Sequence, residues 1–398
     1  IEGWPKSPAI QATHLRISIL RATIASATGK VSNAVDMLGS SAPSVGPIRL
    51  AWAVARTNAL VSVGRADDAA QFSSDQLASF SENLPTDQLL SAKAAALAEV
   101  GAIEESLATQ AEAVEQARRY FKDGHARVWQ AELAEVALDR KAGRVGDATA
   151  SLDRVVPAIR TLFGEDHPAV ADALTEQGHV AVAGGHFTAA LEAYIQAQAI
   201  LEKSLRSDHP QVLSLGLARG DALSDLGKNS DAIALIRLLQ STIKRAGITN
   251  HAVYGEAMLR ASIIHIGRVD IAAGQKAFDE SREAVNRLAD SHPLHALSAL
   301  VESHLAVAKD AYQVANDILG KARLNAAGPL FGRLVAAQAN AVLRSKGPAA
   351  ARQLLEEARL NMEAQLPPGH PARGAVTSVR VAVLTAEARW EEALSALS

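Results

Sequence analysis

The chain has 398 residues, with 40 Lys and Arg against 43 Asp and Glu and a formal net charge of −3. This balance offers no basic surface to a phosphate backbone, which excludes nucleic acid as the main partner. The sequence also lacks a run of 18 or more apolar residues that could span a membrane. Cysteine is absent, which excludes disulfides, thiolate zinc sites and thiol catalysis. The compartment stays open between cytoplasmic and extracytoplasmic, and the absence of thiols favours the second.

Helix starts recur along the whole chain at intervals of 36 to 42 residues. The clearest starts are Asp166-His167-Pro168, Asp208-His209-Pro210 and Ser291-His292-Pro293. Proline is favoured in the first turn of a helix, and the polar residue before it can cap the helix. The pattern predicts a single array of ten units over residues 1–398, with starts near residues 8, 47, 85, 126, 168, 210, 252, 293, 329 and 371.

A second signal marks the corner inside each unit, where a glycine precedes a small residue by five positions. We expect the glycine to end the first helix in the left-handed conformation, and the small residue to let the second helix cross it closely. The pairs are Gly29 and Ala34, Gly64 and Ala69, Gly101 and Ser106, Gly143 and Ala148, Gly185 and Ala190, Gly227 and Ala232, and Gly267 and Ala272. The last three units carry Ala311, Ala351 and Ala393 at the small position without a matching glycine.

The unit that starts at Pro168 shows both helices clearly. Leu174, Gly178 and Ala181 share one face of the first helix, and Ala190, Tyr194, Ala197 and Leu201 share one face of the second. Gly178 precedes Ala190 by 12 residues, as Gly220 precedes Ala232, and both glycines should allow close crossing of the helices. Together the two signals predict an all-α chain of about ten helical hairpins.

This spacing resembles the tetratricopeptide repeat, a helical hairpin that stacks into a right-handed α-solenoid. The 42-residue variant is similar to the repeat of kinesin light chains and their bacterial relatives. The matching segments are Asp166-His167-Pro168-Ala169-Val170-Ala171 and Ala197-Gln198-Ala199-Ile200-Leu201-Glu202-Lys203-Ser204-Leu205. The resemblance is closest over residues 126 to 292, and looser in the first and last three units.

The resemblance implies that a protein or peptide binds in a groove lined by the first helices. Projecting the repeat register places mixed acidic, basic and polar side chains in that groove. They are Gln130, Arg140, Asp172, His179, Asp221, Asp225, Tyr254, His265, His304, Arg333, Asn340 and Arg344. An alternative for each of them is an ordinary solvated surface position.

The recurring histidines raise the question of a metal site. His167, His209, His251 and His292 come once per unit, and helices pack about 10 Å apart. Because zinc–imidazole bonds are about 2 Å long, we interpret these residues as helix caps rather than ligands. A site formed by His292, His295 and His304 is disfavoured because His295 and His304 lie nine residues apart.

No nucleotide-binding loop, zinc-protease motif or other catalytic motif is present, so we expect neither an enzyme nor a cofactor. The first hypothesis is a protein-binding scaffold that forms the sensory or regulatory region of a larger bacterial signalling protein, such as a Ser/Thr protein kinase. The alternative is the small-ligand or peptide receptor domain of a transcription regulator. The start at Ile1 favours a piece of a longer protein over the loss of a leader, and apolar terminal units could support a homodimer.

Overall fold

A computed structural model describes residues 8–27, 31–39, 46–80, 84–122, 124–249, 252–288, 292–324, 326, 328–365 and 371–396. Every regular element in these ranges is an α-helix. None of the helices within them is both long enough and apolar enough to span a membrane. The main-chain contacts divide the chain into two compact units. The first comprises Ile1–Val100, Glu104–Glu135 and Ala289–His292, and the second Gly101–Ile103, Val136–Leu288 and Pro293–Ser398.

The helices alternate between a first and a second helix of successive hairpins. The first five hairpins are α1 (Pro8–Ala27) and α2 (Val31–Leu38), α3 (Gly46–Ser62) and α4 (Ala66–Ser79), α5 (Asp87–Val100) and α6 (Ile103–Tyr120), α7 (Ala126–Lys141) and α8 (Val145–Phe163), and α9 (Pro168–Ala183) and α10 (Phe187–Leu201). The other five are α11 (Pro210–Asp225) and α12 (Asn229–Arg245), α13 (Ala252–Gly267) and α14 (Ile271–Val285), α15 (Pro293–Val307) and α16 (Tyr312–Arg323), α17 (Gly328–Lys346) and α18 (Pro348–Gln365), and α19 (Pro371–Ala386) and α20 (Trp390–Ser395).

Histidines cap three of the first helices, and for His167 and His209 this confirms the prediction. The Nδ1 atoms of His125 and His167 each accept a hydrogen bond of 3.1 Å from the main-chain N–H two residues later, and His209 does so at 3.3 Å. The rings of His125 and His167 also stack on Phe121 and Phe163 at centroid distances of 4.5 and 4.7 Å. His251 lies outside the described residues.

Most of the predicted corner glycines adopt the left-handed conformation. The φ angle is positive at Gly64, Gly101, Gly143, Gly185 and Gly227, with values from 73° to 92°. Gly29 lies outside the described residues.

At the corner between α13 and α14, the observed register lies two residues later than the predicted one. The first helix continues through Gly267, and Val269 takes the left-handed conformation with a φ of 63°. The small residue at the crossing is therefore the buried Gly274, while the predicted Ala272 is exposed. A valine in this conformation is unusual because its branched side chain is crowded by its own backbone, so no sequence pattern pointed to it.

Two of the last three corners also differ from the prediction. Asp310 has a φ of 58°, and Ala315, with no exposed surface, occupies the small position that was assigned to Ala311. Gly347 has a φ of 89°, so a corner glycine precedes Ala351 by four residues where none was expected. Ala351 and Ala393 are buried, with 0% and 6% of their surface exposed, as predicted.

One spacing of buried side chains recurs in the second helices, and we call it the second-helix pattern. After the small residue at the crossing, the side chains 4, 7 and 11 positions later are buried against the neighbouring helices. The pattern occupies Ala148, Leu152, Val155 and Ile159; Ala190, Tyr194, Ala197 and Leu201; Ala232, Ile236, Leu239 and Ile243; Gly274, Phe278, Ser281 and Val285; and Ala351, Leu355, Ala358 and Met362.

The two predicted crossing glycines differ in how much room they leave. A Cβ atom on Gly178 would lie 2.2 Å from Cε1 of Tyr194, which is far inside van der Waals contact. A Cβ atom on Gly220 would lie 3.4 Å from the nearest atom of Ile236, which is ordinary contact. Only Gly178 is therefore required for close approach of its helices.

Candidate functional site

A network of charged and polar side chains runs across the first helices of the second unit. Nine of its members lie on α7, α9, α11, α13, α15 and α17, and Tyr194 joins them from α10. We call this set the first-helix cluster. Its members are Arg140, Glu176, His179, Tyr194, Asp221, Asp225, Glu256, Arg260, His304 and Arg333.

At one end of the cluster, two short contacts fix the side chains of α7, α9 and α10. Nε of Arg140 lies 2.6 Å from Oε1 of Glu176, and Tyr194 Oη lies 2.7 Å from His179 Nδ1. Burial raises the pKa of the Tyr194 hydroxyl and lowers the pKa of the His179 imidazole. A neutral ring is therefore favoured at His179 in the folded protein.

In the centre of the cluster, Arg260 on α13 holds two carboxylates. It forms an ion pair with Asp221 on α11, and its Nη2 lies 2.8 Å from Oε1 of Glu256. Burial by itself lowers the pKa of Arg260, but Asp221 and Glu256 raise it above its ordinary value. Burial raises the pKa of Asp221, and Arg260 opposes that change. Since 46% of the Asp221 side chain is exposed, its carboxylate can still meet a ligand.

At the other end, three charged or titratable side chains have unused hydrogen-bonding capacity. Within the described residues, Asp225, His304 and Arg333 make neither a hydrogen bond nor an ion pair, although their charges influence one another. Burial raises the pKa of Asp225, and Arg333 partly opposes this. Burial lowers the pKa of Arg333 and of His304, and the charge of Arg333 lowers that of His304 further. Asp225 and Arg333 are exposed and His304 is half-buried, so these groups are available to an external partner.

The structure brings together half of the twelve residues that the repeat register placed in a groove. Those in the cluster are Arg140, His179, Asp221, Asp225, His304 and Arg333. Asp172 is exposed on α9 and accepts a hydrogen bond of 2.7 Å from Gln211. Asn340 and Arg344 are exposed further along α17.

Three of the twelve lie in other surroundings. Only 6% of Tyr254 is exposed, and its hydroxyl donates to Glu280 on α14 at 3.2 Å, while Lys244 of α12 lies over its ring. Nδ1 of His265 lies 3.5 Å from Asp270 at the corner between α13 and α14. Gln130 is exposed on α7 and lines a cavity of about 310 Å³ in the first unit.

That cavity also contains an ion pair that the sequence did not reveal. Arg127 on α7 donates from Nε to Oδ2 of Asp87 on α5 at 2.8 Å, and also contacts the carbonyl of Pro85 at 3.3 Å. Only 2% of the Asp87 side chain and 21% of the Arg127 side chain are exposed. The pair therefore joins two consecutive first helices of the first unit, and it leaves almost none of the Asp87 side chain exposed.

Glu176, Glu256 and Arg260 were missed because the register was used to select positions one at a time. A pairwise signal was present. Arg140 and Glu176 lie 36 residues apart, Asp221 and Arg260 lie 39 apart, and Asp87 and Arg127 lie 40 apart. Opposite charges separated by about one repeat face each other on consecutive first helices, so this spacing would have identified the pairs.

Two of the histidines that the sequence raised as possible metal ligands, His295 and His304, lie in different surroundings. Nε2 of His295 lies 3.4 Å from the carbonyl of Leu288, whereas His304 belongs to the first-helix cluster. Within the described ranges, no three His, Cys, Asp or Glu side chains are grouped so that they could hold a metal ion.

Comparisons with known proteins find similarity in structure only. No family model matches the chain, and no curated protein matches its sequence. A Rap protein solved in complex with competence and sporulation factor aligns at 16% identity over 81% of this chain and 90% of its own, with a TM-score of 0.57. The apo form of RapI aligns at 9% identity over 88% of this chain and 99% of its own, with a TM-score of 0.50.

A third solved structure, a kinesin light chain of Podospora anserina with TPR-like repeats, aligns at 18% identity over 52% of this chain and 98% of its own, with a TM-score of 0.44. Its recurring hairpins and its structural similarity to the Rap protein and RapI give the chain the fold of a tetratricopeptide-repeat array, an all-α solenoid.

Proposed function

We propose that this chain is a scaffold that binds a peptide segment of a partner protein at the first-helix cluster. The single observation that carries the proposal is that Asp225 and Arg333 are exposed and His304 is half-buried, yet none of the three makes a hydrogen bond or ion pair within the described residues. Such groups can form charge-assisted contacts with a ligand of complementary charge without first losing a partner in the protein. The Rap relative, whose structure holds a competence and sporulation factor, supports a ligand-binding role for this fold.

The arrangement of charges indicates what the peptide carries. Asp225 and Asp221 offer carboxylates to a basic side chain, while Arg333 offers a guanidinium to an acidic side chain or a carboxyl terminus. Arg260 is already neutralised by Asp221 and Glu256, so it positions the carboxylates rather than attracting an anion. We therefore expect a peptide that bears both a positive and a negative group.

The test begins with selection of peptides from a displayed random library on the immobilised chain, followed by measurement of their affinity by fluorescence polarisation. We expect Asp225→Arg and Arg333→Glu each to weaken binding by about tenfold or more, the effect of losing one charge-assisted contact. Reversing the matching charge in the peptide should restore affinity to each variant. Tyr254→Phe is the matched control, since Tyr254 contacts the second helices.

If Tyr254→Phe weakened binding while both charge reversals left it unchanged, the ligand would contact a different face and the cluster would have no role in recognition. A loss in every variant that charge reversal in the peptide does not rescue would indicate a structural effect instead.

We further propose that the scaffold is the sensory or regulatory region of a bacterial signalling protein, such as a Ser/Thr protein kinase. The second candidate is a receptor domain of a transcription regulator that closes on a small ligand. A thermal-shift screen separates the two, because a small-molecule ligand raises the Tm in proportion to the logarithm of its excess over Kd. Stabilisation by a selected peptide and by no metabolite would favour the scaffold.

A further inference from the structure

The cavity beside Asp87 and Arg127 in the first unit differs in chemistry from the first-helix cluster. We call it the first-unit cavity, and its volume is about 310 Å³. Its floor is one face of α5, where Gln88, Ser91 and Ala95 lie over two turns, a length of about 10 Å at about 1.5 Å per residue. Residues of α3 and α7 form its walls. Because all of its lining residues belong to the first unit, the cavity is a short bowl within that unit and suits a compact ligand.

Four polar side chains that line the cavity have unused hydrogen-bonding capacity. They are Asn58 on α3, Gln88 and Ser91 on α5, and Gln130 on α7, and none of them makes a hydrogen bond with a described residue through its side chain. Each amide offers two N–H donors and a carbonyl acceptor, and the serine hydroxyl can donate and accept. The cavity therefore presents donors and acceptors together, from three consecutive first helices.

The cavity offers no free charge to a ligand. Among the residues that line it, only Asp87 and Arg127 are charged, and they form the ion pair described above. The lining also contains no aromatic ring on which a nucleobase could stack. Val54, Ala92 and Ala95 add small apolar surfaces between the polar groups. An uncharged ligand that bears both hydroxyl and C–H groups fits this combination, since a hydroxyl donates and accepts as an amide does.

The helices around the cavity are held in place before any ligand arrives. The ion pair of Asp87 and Arg127 joins α5 to α7, and Leu60 of α3 packs with Ala96 of α5 in one buried cluster. Gln110 of α6 donates from Nε2 to the main-chain carbonyl of Ala131 on α7 at 2.8 Å. A site whose walls are already fixed loses less free energy on binding than one that must first be ordered.

We infer that the first-unit cavity binds an uncharged, polyhydroxylated small molecule of the size of a hexose sugar. Its volume of about 310 Å³ equals that of about ten water molecules at ~30 Å³ each, which one sugar ring with its hydroxyls fills. The amides of Asn58, Gln88 and Gln130 would pair with neighbouring hydroxyls, and the C–H face of the ring would lie on the alanines. This site is separate from the proposed peptide site, which uses charged side chains of the second unit.

Saturation-transfer difference NMR on the 398-residue chain tests the inference, because it detects weak binding. The probes are free glucose, galactose and mannose, and we expect at least one of them to receive saturation and to bind saturably. Its affinity should not change between about 0.05 and about 0.5 M NaCl, since salt screens contacts between charges only. Acetyl-alanine methylamide, a compact neutral probe of the peptide main chain, should receive no saturation.

Variants of the cavity locate the site. The pair Asn58→Ala and Gln130→Ala should weaken hexose binding about tenfold, because two hydrogen-bonding amides are lost. Ala95→Trp should block binding by filling the bowl, and Ala95 is exposed, so the change removes no buried side chain. Asn340→Ala, which removes an exposed amide from α17, is the matched control. Circular dichroism of each variant shows whether the fold is retained.

Asp225→Arg in the first-helix cluster should also leave hexose binding unchanged, so a failure of the peptide proposal would not affect this result. Three outcomes would overturn the inference. The first is that none of the three hexoses receives saturation from the folded chain. The second is that the double amide variant and Ala95→Trp bind the hexose as well as the original chain does. The third is saturation of acetyl-alanine methylamide that Ala95→Trp abolishes, since the amides would then recognise a peptide main chain.

Discussion

Among the ion pairs that join consecutive first helices in the described residues, Asp87–Arg127 and Asp221–Arg260 differ most clearly in the exposure of the carboxylate. In the first unit, Asp87 is 2% exposed and is held by Arg127 alone. In the second unit, Asp221 is 46% exposed, and its partner Arg260 also binds Glu256. The first pair leaves almost none of its carboxylate exposed, whereas the second leaves a carboxylate that solvent can reach.

The comparison separates a structural use of charge from one suited to recognition. Breaking a buried ion pair is costly, because the remaining charge stays buried without another partner. An open network has alternative partners, so its members can change contacts when a ligand arrives. The same type of residue pair, one repeat apart in sequence, thus stabilises one unit and forms a candidate site in the other.

Removing one member of each pair should give the largest difference between the units. Arg127→Ala leaves the Asp87 carboxylate buried without its partner, which should lower the free energy of unfolding by about 3–5 kcal/mol. Arg260→Ala should cost on the order of 1 kcal/mol, because Asp221 remains accessible to water. Urea denaturation followed by circular dichroism measures both. Equal losses would show that exposure of the carboxylate does not distinguish the pairs.

A second contrast lies within the second unit, between two glycines at equivalent positions. Gly178→Ala should destabilise the protein by about 1–3 kcal/mol, because its Cβ would overlap the ring of Tyr194. Gly220→Ala should stabilise it by up to about 1 kcal/mol, because alanine favours helix and the contact with Ile236 is an ordinary one. Thermal unfolding of both variants provides the check, and a loss of stability in Gly220→Ala would contradict it.

The lowered pKa of His179 predicts that the stability of the second unit depends on pH. The unfolded chain takes up a proton near the ordinary value of 6.5, while the folded chain resists protonation because the ring is buried. The stability that the neutral His179 ring contributes is therefore complete above about pH 6.5. It is lost as the pH falls through the lowered pKa of the folded state. His179→Gln should reduce the fall in Tm between pH 7.5 and 5.5, because it removes one group that takes up a proton on unfolding. An unchanged fall would assign the pH dependence to other groups.

The smallest effect on stability is expected at the open end of the cluster. Arg333→Glu removes no hydrogen bond or ion pair among the described residues, so the free energy of unfolding should change by less than about 0.5 kcal/mol. Peptide affinity should nevertheless fall, as proposed above. Denaturant midpoints measured on the same preparations as the binding assay separate the two properties. A large loss of stability would place Arg333 with the structural pair rather than with a binding site.

Much of the fold was predictable because it depends on local rules. Proline and histidine mark helix starts, and a glycine with positive φ marks a corner, as at Pro168, His167 and Gly185. The prediction was wrong at two corners where a residue with a side chain takes that conformation, but not at Ala388, which takes it before the correctly predicted Ala393. Val269 and Asp310 do so, which displaced the small positions to Gly274 and Ala315.

The candidate site was only half predictable, because side chains reach across helices. Six register positions gather in the first-helix cluster, but Tyr254 and His265 lie in the hairpin whose corner was misplaced, and they contact α14 and its corner instead. Arg260 belongs to the cluster through partners on two helices. A projection that treats each position separately does not detect such contacts. The burial that shifts the pKa of Asp225 also depends on neighbours distant in sequence.

The left-handed valine at the corner before α14 has a consequence for how this protein can change over evolutionary time. Val269 is 83% exposed and sits in a conformation that costs an L-residue with a side chain about 1–2 kcal/mol. A single mutation to glycine would release that strain at a residue that is not a member of the first-helix cluster. The free energy of unfolding gained at this corner can offset the stability lost when new side chains appear in a binding surface. Lineages could therefore acquire new partners without first losing the folded array.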